Sequence, residues 1–267
     1  RNPAPAWESA TIGGALRWAM AVLTTAGDDS PQLDAEVLLA HVLGVDRAHL
    51  YARPEQSLSH SEQEEYRSAV ARRQAHEPVP YITGLREFYG LDLIVNRDVL
   101  IPRPETELLV EQVLVAAQRW AGAERLYIAD VGTGSGAVSV SVAKSLRDAT
   151  VYAIDSSSDA LRVAGLNAVR HKVESRIQLL LGDLLAPLPT PVHVIAANLP
   201  YIPSDQVHTL MPDVACYEPH SALDGGSDGL DKIRALLDQA GEHLMHGGVI
   251  LLEIGADQGE AVKAHAR

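Results

Sequence analysis

Cysteine occurs only once in this chain, at Cys216, so an internal disulfide framework is excluded and the usage fits a reducing cytosol. Long apolar runs are also missing. No stretch approaches the roughly 20 residues that a membrane span needs. The opening Arg1-Asn2-Pro3-Ala4-Pro5 has neither an initiator Met nor an apolar signal core, and reads as the start of a trimmed or partial chain, not a secretory one. Positive charge is scarce as well. Only 22 Lys and Arg stand against 35 Asp and Glu, a net charge of −13, and the densest basic pair is Arg72-Arg73. A protein that grips a phosphate backbone carries a basic footprint, because counterion release supplies most of its nonspecific affinity. A direct nucleic-acid partner is therefore disfavoured. The 11 histidines show no metal-ligand spacing, so no metal site is assigned. Acidic runs such as Glu62 to Glu65 read as solvated helix faces. Internal repeats and low-complexity tracts are absent.

At 267 residues the chain has room for one large domain, or for one with a small companion. Residues 1–78 read as a small helical domain. Ser30-Pro31 opens a helix with Leu33, Val37, Leu38, Leu39 and Val42 on a helical period, Ser30 capping and Gly44 ending it. Ser61 with Glu64 has capping-box spacing for a further helix through Arg73. Residues 79–104 change texture. Tyr81 to Gly84 and Glu87 to Leu100 are β-like, with a turn at Gly90 and alternating Leu91, Leu93 and Val95, which predicts a hairpin linking two domains.

A helix is expected from Glu105 to Trp120. Beyond it, strands predicted at 125–131, 151–155, 177–181, 192–197 and 249–254 alternate with helices at 136–146, 158–171 and 228–245, the last with Asp228 as cap. That alternation over residues 105–267 predicts a doubly wound, mostly parallel α/β sheet, which binds ligands beyond the carboxyl ends of its strands.

Two motifs fall at such ends. The first is Asp130-Val131-Gly132-Thr133-Gly134-Ser135-Gly136, between a strand and a helix. Glycines there let the backbone approach a ligand and present helix N–H groups to it, as a nucleotide-like cofactor requires. The spacing Gly132-x-Gly134-x-x-Ala137 also fits the loose dinucleotide fingerprint, so it does not separate a dehydrogenase from a methyltransferase. A purely structural tight turn is the bland alternative. Asp155 ends the next strand, 19 residues beyond Gly136, where a carboxylate accepts both hydroxyls of a ribose or else caps the helix opening at Ser156. Asp183, with Leu184 beside it, ends the third strand and meets an adenine amino group or simply turns the chain.

The second motif is Asn198-Leu199-Pro200-Tyr201, after the apolar run Val192 to Ala197. A side-chain carbonyl from Asn198 and the backbone carbonyl of Leu199 can each accept one N–H of a planar nitrogen while Tyr201 packs on the planar group. That orients a delocalised lone pair without a strong base. An Asx-type turn leaving a strand is the alternative. Asp224-Gly225-Gly226-Ser227-Asp228-Gly229 reads either as a lid or as an ordinary loop.

These residues, together with Pro80-Tyr81-Ile82-Thr83-Gly84, Glu87-Phe88-Tyr89-Gly90-Leu91, Val99 to Glu107 with its Arg103-Pro104-Glu105-Thr106-Glu107, and Glu218 to Gly226, resemble the HemK/PrmC family of protein-(glutamine-N5) methyltransferases that modify peptide chain release factors. The resemblance covers nearly the whole chain, and the Arg-Pro-Glu-Thr-Glu segment is its most specific part. It implies a class I, Rossmann-like fold and S-adenosyl-L-methionine bound by Gly132, Thr133, Gly134, Ser135, Gly136, Asp155 and Asp183, with Leu184 near the adenine, Arg103 and Thr106 flanking the cofactor, and Asn198 also contacting it. It further implies that Asn198, Leu199, Pro200 and Tyr201 hold the glutamine of a Gly-Gly-Gln loop, that the helical domain helps recognise the release factor, and that the enzyme is cytoplasmic. Two departures stand out. The family motif is usually Asn-Pro-Pro-Tyr, and Leu199 lacks the fixed φ of a proline. Family members also continue past Arg267, so the C-terminal edge of the sheet is expected to lie beyond this chain. An adenine-N6 methyltransferase shares the Asn-x-Pro-Tyr logic but calls for nucleic acid. A catalytically silent binding module of the same fold is the other competing reading. A nicotinamide dehydrogenase is the most distant one, since nothing here resembles a hydride-transfer acid.

Overall fold

A computed structural model describes residue 7 and residues 9–121 and 125–267. The opening Arg1 to Pro5 lies outside the described residues. By its internal contacts the chain divides into two compact units, one running to Gly84 and joined by Pro212–Tyr217, the other comprising Leu85–Met211 with Glu218–Arg267.

The first unit holds α1 (Ile12–Ala26), α2 (Pro31–Leu43), α3 (Arg47–Ala52), α4 (His60–Gln74) and α5 (Val79–Thr83). Ile12, Leu23, Leu38, Leu39, Tyr66 and Val70 fill its core. The fully buried Tyr66 hydroxyl donates to the Ala35 carbonyl at 2.9 Å, which removes the cost of an unpaired polar group. Three local expectations are corrected here. The capping box is Ser59 with Glu62, not Ser61 with Glu64; both pairs have the spacing, but the Ser61 hydroxyl donates to Glu65 instead. Ser30 sits at the N-cap of α2 without a side-chain cap bond, and its own N–H goes to Asp28. Tyr81 to Thr83 is a helical turn, α5, closed by Gly84 at φ 75°, because Pro80 in the first turn favours helix and the glycine supplies the left-handed stop.

Within this unit Arg73 Nε lies 2.8 Å from Asp28 and 2.7 Å from Asp34. Burial and the neighbouring Asp28 charge push the Asp34 carboxyl up to about 6. A carboxyl whose folded value exceeds its unfolded 3.8 contributes stability that is complete below about pH 4 and is lost as pH rises through 6. Asp34→Asn is therefore expected to gain on the wild type by ~1 kcal/mol between pH 4 and pH 7, after discounting for solvent screening. Urea unfolding at the two pH values measures this, and an equal difference at both would refute it.

The second unit opens with the expected hairpin, β1 (Leu85–Phe88) and β2 (Leu91–Ile94), turned at Tyr89 and Gly90, both with positive φ. After α6 (Thr106–Ala117) come β3 (Leu126–Val131), α7 (Ala137–Ser145), β4 (Ala149–Asp155), α8 (Ser158–Arg170), β5 (Ile177–Leu181) and β6 (Val192–Asn198). Next in sequence is α9 (Pro212–Ala215), a short turn within the first unit, and then α10 (Asp231–His243), β7 (Leu244–Glu253) and α11 (Gly259–His265). The five strands β3 to β7 are all parallel, in the order β5-β4-β3-β6-β7. β6 is buried from Val192 to Ala197, as a central strand covered on both faces must be. The order reverses between β3 and β6, which places the ligand crevice beyond those two strand ends. The start of α10 needs correcting. Its N-cap is Leu230, and the Asp228 carboxylate instead accepts from Leu230 N and pairs with Arg234.

Candidate functional site

The Gly-rich turn follows β3 directly. Gly132, Gly134 and Gly136 all have positive φ, and the N–H groups of Gly132 and Thr133 both donate to the Ile154 carbonyl at 2.9 Å. Gly136 is the N-cap of α7 and has no side chain to cap with. Asp130, six residues earlier, does this instead. Its Oδ2 accepts from Ser139 N at 3.0 Å, Ser139 Oγ at 2.6 Å and Thr133 Oγ1 at 2.7 Å. Burial pushes the Asp130 carboxyl up, while those three bonds pull it back down. Asn167 of α8, fully buried, ties the turn to the hairpin. Its Nδ2 donates to the carbonyls of Ser135 and Ile94, and its Oδ1 accepts from Ile94 N.

Asp155 stands at the end of β4. One carboxylate oxygen accepts from Gly134 N and the other from Ser157 N, both at 2.9 Å. The α8 cap itself is Ser157, which accepts from Ala160 N. Since a carboxylate offers about four lone-pair directions, Asp155 keeps acceptor capacity beyond its two backbone bonds. Asp183 pairs with Lys232 at 3.1 Å near the surface, and the neighbouring Leu184 is buried with φ 50°.

Asn198 to Tyr201 leave β6. Asn198 Nδ2 donates to Thr106 Oγ1 at 3.0 Å. Leu199 is 5% exposed, and its Cδ2 lies 3.1 Å from where a Cβ on Gly132 would sit. Packing against the Gly-rich turn thus fixes this residue without a proline ring, and the same contact, added to a φ of 73°, keeps Gly132 a glycine. The half-buried Tyr201 has its hydroxyl pushed up by burial and then by the Glu253 charge. The Asp224 to Gly229 loop is bonded to this segment. Gly225 N donates to the Ile202 carbonyl at 2.9 Å, Ile202 N donates to Leu223, and Gln258 Nε2 donates to the Tyr201 carbonyl at 3.0 Å.

A cavity of about 310 Å³ opens between these motifs. Gly132, Gly134, Asp155, Asp183, Leu184, Asn198, Leu199 and Pro200 line it. Thr133, Ser135, Gly136, Tyr201, Arg103 and Thr106 are not among the lining residues. Arg103 pairs with the buried Glu218 at 2.6 Å, and Thr106 is the acceptor for Asn198. Glu107, from the same segment, accepts from Tyr89 N at the hairpin turn. The lining also contains residues that sequence reasoning quoted only as markers of resemblance, Val99, Leu100, Pro219, Ser221 and Ala222, and others it passed over, among them Arg97, Asp98, Ser157 and Lys232. The last four carry no motif; only proximity in the fold selects them.

The family model described as the PrmC N-terminal domain matches residues 14–84, and the methyltransferase small domain matches residues 104–214. A release factor glutamine methyltransferase of Moorella thermoacetica is 45% identical over 258 residues, 96% of this chain and 90% of that one. Its namesake from Geobacter sulfurreducens is 41% identical over 94% of this chain and 87% of its own, and that of Coxiella burnetii 43% over 87% and 82%. Among solved structures, a methyltransferase from Pyrococcus furiosus overlays 67% of this chain and 77% of its own at 18% identity, with a TM-score of 0.46. No helix among the described residues is long and apolar enough to cross a membrane.

Proposed function

The chain belongs to the release factor glutamine methyltransferase family, and from that membership we propose how its own residues carry out the reaction. It is an S-adenosyl-L-methionine-dependent enzyme that methylates a glutamine of peptide chain release factors. We take that glutamine to be the one in a Gly-Gly-Gln loop, whose two glycines make the loop narrow enough to enter a cleft. Because release factors act on ribosomes, we place the enzyme in the cytoplasm.

The lining fits the cofactor. Four aspartates, Asp98, Asp155, Asp159 and Asp183, share the lining with two cations, Arg97 and Lys232, and although Arg162 pairs with Asp98 and Lys232 with Asp183 the balance stays acidic, suited to a ribose diol and a cationic sulfur and unsuited to phosphates. When bound, S-adenosyl-L-methionine supplies an electrophilic methyl group. In our reading the turn from Gly132 to Gly136 receives it by close backbone approach, Asp155 accepts the ribose hydroxyls, and Leu184 packs beside the adenine. Asp155→Ala is expected to raise the cofactor Kd on the order of 10- to 100-fold, the worth of a hydrogen bond to a charged group. Calorimetric titration measures it, and an unchanged Kd would remove Asp155 from the cofactor site.

The target nitrogen is a poor nucleophile because its lone pair is delocalised into the carbonyl. Asn198 Oδ1 and the Leu199 carbonyl each accept one of its N–H bonds, which turns the lone pair toward the methyl group, while Tyr201 packs against the amide plane. Activation then comes from positioning and electrostatics. The observation that carries this reading is that Asn198, Leu199 and Pro200 line the same cavity as Gly132, Gly134 and Asp155. Incubation with labelled S-adenosyl-L-methionine and purified release factors, followed by mass spectrometry, tests it. Label on the Gly-Gly-Gln glutamine is the expected result, and label on another residue, or only on added nucleic acid, would overturn it. The acidic lining and the net charge of −13 disfavour the nucleic-acid outcome.

A further inference from the structure

Glu253 ends β7 directly opposite Asn198 of β6 in the parallel register. Its Oε2 is buried with no hydrogen-bond partner among the described residues, and burial pushes the carboxyl up. The Thr106 hydroxyl and the Asn198 amide lie close enough to this carboxyl to oppose the upward push of its burial, and Asn198 donates to Thr106 Oγ1 at 3.0 Å. Thr106, Asn198 and Glu253 are therefore neighbours, and of the three only Asn198 lines the cavity. The surrounding charges are Arg103 and Glu105, with the Tyr201 hydroxyl nearby.

The chemistry of the three groups sets a direction. An ionised carboxylate accepts hydrogen bonds and cannot donate them. A carboxylate beside Thr106 draws the hydroxyl proton to its own side, which leaves the Thr106 oxygen to accept from Asn198, as it does. Both partners thus require the NH₂ end of the Asn198 amide, and Oδ1 is left for the other side, where it takes no bond among the described residues. We propose that Glu253 is a positioning residue, which with Thr106 locks the Asn198 amide so that its oxygen, not its nitrogen, faces the target nitrogen in the cavity. A flipped amide would present a donor to a donor. The unpaired Oε2 belongs to the same picture, since a buried carboxylate short of donors is costly and persists where orientation matters. The proposal rests on the reading of Asn198 as an acceptor for the target amide.

Glu253→Gln is the informative variant, because it keeps the shape while offering both a donor and an acceptor, so that either Asn198 orientation is satisfied. We expect kcat on release factor to fall roughly 10- to 100-fold, the range for one hydrogen bond to a charged group, with cofactor affinity by calorimetry within a factor of about two. Thr106→Val removes the other arm and should give a similar loss, which keeps the test intact if the Gln variant folds poorly. In an Asn198→Ala background neither change should lower kcat further, because no amide remains to orient. Wild-type kcat in both Glu253→Gln and Thr106→Val, or losses that multiply with that of Asn198→Ala, would overturn the role of Glu253. Full activity in Asn198→Ala alone would instead overturn the reading of Asn198, and the proposal with it.

Discussion

Asn198→Ala is expected to lower kcat for release-factor methylation roughly 10²–10³-fold, the cost of removing one hydrogen bond aimed at the reacting group. Two losses combine in that figure. The alanine no longer accepts an N–H of the target, so the lone pair is free to rotate away from the line of attack, and misplacement of this kind alone costs on the order of 10²-fold. It also leaves Thr106 Oγ1 without its donor and exposes the strand end next to Glu253. The fold should survive, because Leu199 holds the segment against Gly132, and Ile202 and Tyr201 are bonded to the neighbouring loop and to Gln258. Single-turnover kinetics with saturating cofactor and release factor isolate the chemical step. A variant that turns over at the wild-type rate would show that the target nitrogen is held by other groups.

The elements that bring Asn198 to the cavity were legible in the sequence, and for definite reasons. Short buried runs such as Val192 to Ala197 and the three glycines after Val131 have few ways to fold, so the parallel sheet and its two strand-end motifs follow from pattern alone. Short capping signals are degenerate: Ser59 and Ser61 both precede a Glu by three residues, and which one caps depends on where the chain enters the helix. Asp228 precedes an apolar period as a cap would, yet the guanidinium of Arg234, six residues on, competes for its carboxylate. Tyr81 to Thr83 has β-forming residues, but Pro80 and Gly84 outweigh that propensity over so short a stretch.

Arg103 and Thr106 illustrate a different limit. Their segment was recognisable, but its bonds run to Glu218 and Asn198, more than 90 residues away in each case. Asn167 and Glu253 gave no signal at all, since an Asn in mid-helix and a Glu at a strand end are commonplace. Their importance lies in partners that only the fold supplies.

Asp130→Ala is the second large effect, and it reaches function through stability. The three bonds at Oδ2 satisfy an N–H in the first turn of α7 and two hydroxyls, inside a site with almost no access to water. Removing the carboxylate lets Thr133 and Ser139 bond each other across 3.1 Å, but Ser139 N–H and one hydroxyl proton stay unpaired. At about 1–3 kcal/mol for each of these two buried donors left unsatisfied, the expected destabilisation is about 2–6 kcal/mol. A loosened α7 terminus would also blur the turn from Gly132 to Gly136, so cofactor affinity should fall along with stability. Asp130→Asn separates the acceptor from the charge, because its Oδ1 can take the same three bonds. Burial disfavours the charged carboxylate, so the neutral amide should retain most of the stability near neutral pH, where the wild type bears the cost of ionisation. The sign follows from the raised carboxyl: its stabilising contribution is complete below the unfolded value of 3.8 and declines as pH rises through the folded value, so the Asn variant compares worst at acid pH and best at alkaline pH. Denaturant midpoints of the two variants across pH, with cofactor titrations on the same samples, decide the matter. Equal loss in the Ala and Asn variants would mean that the charge, and not the acceptor geometry, organises the turn.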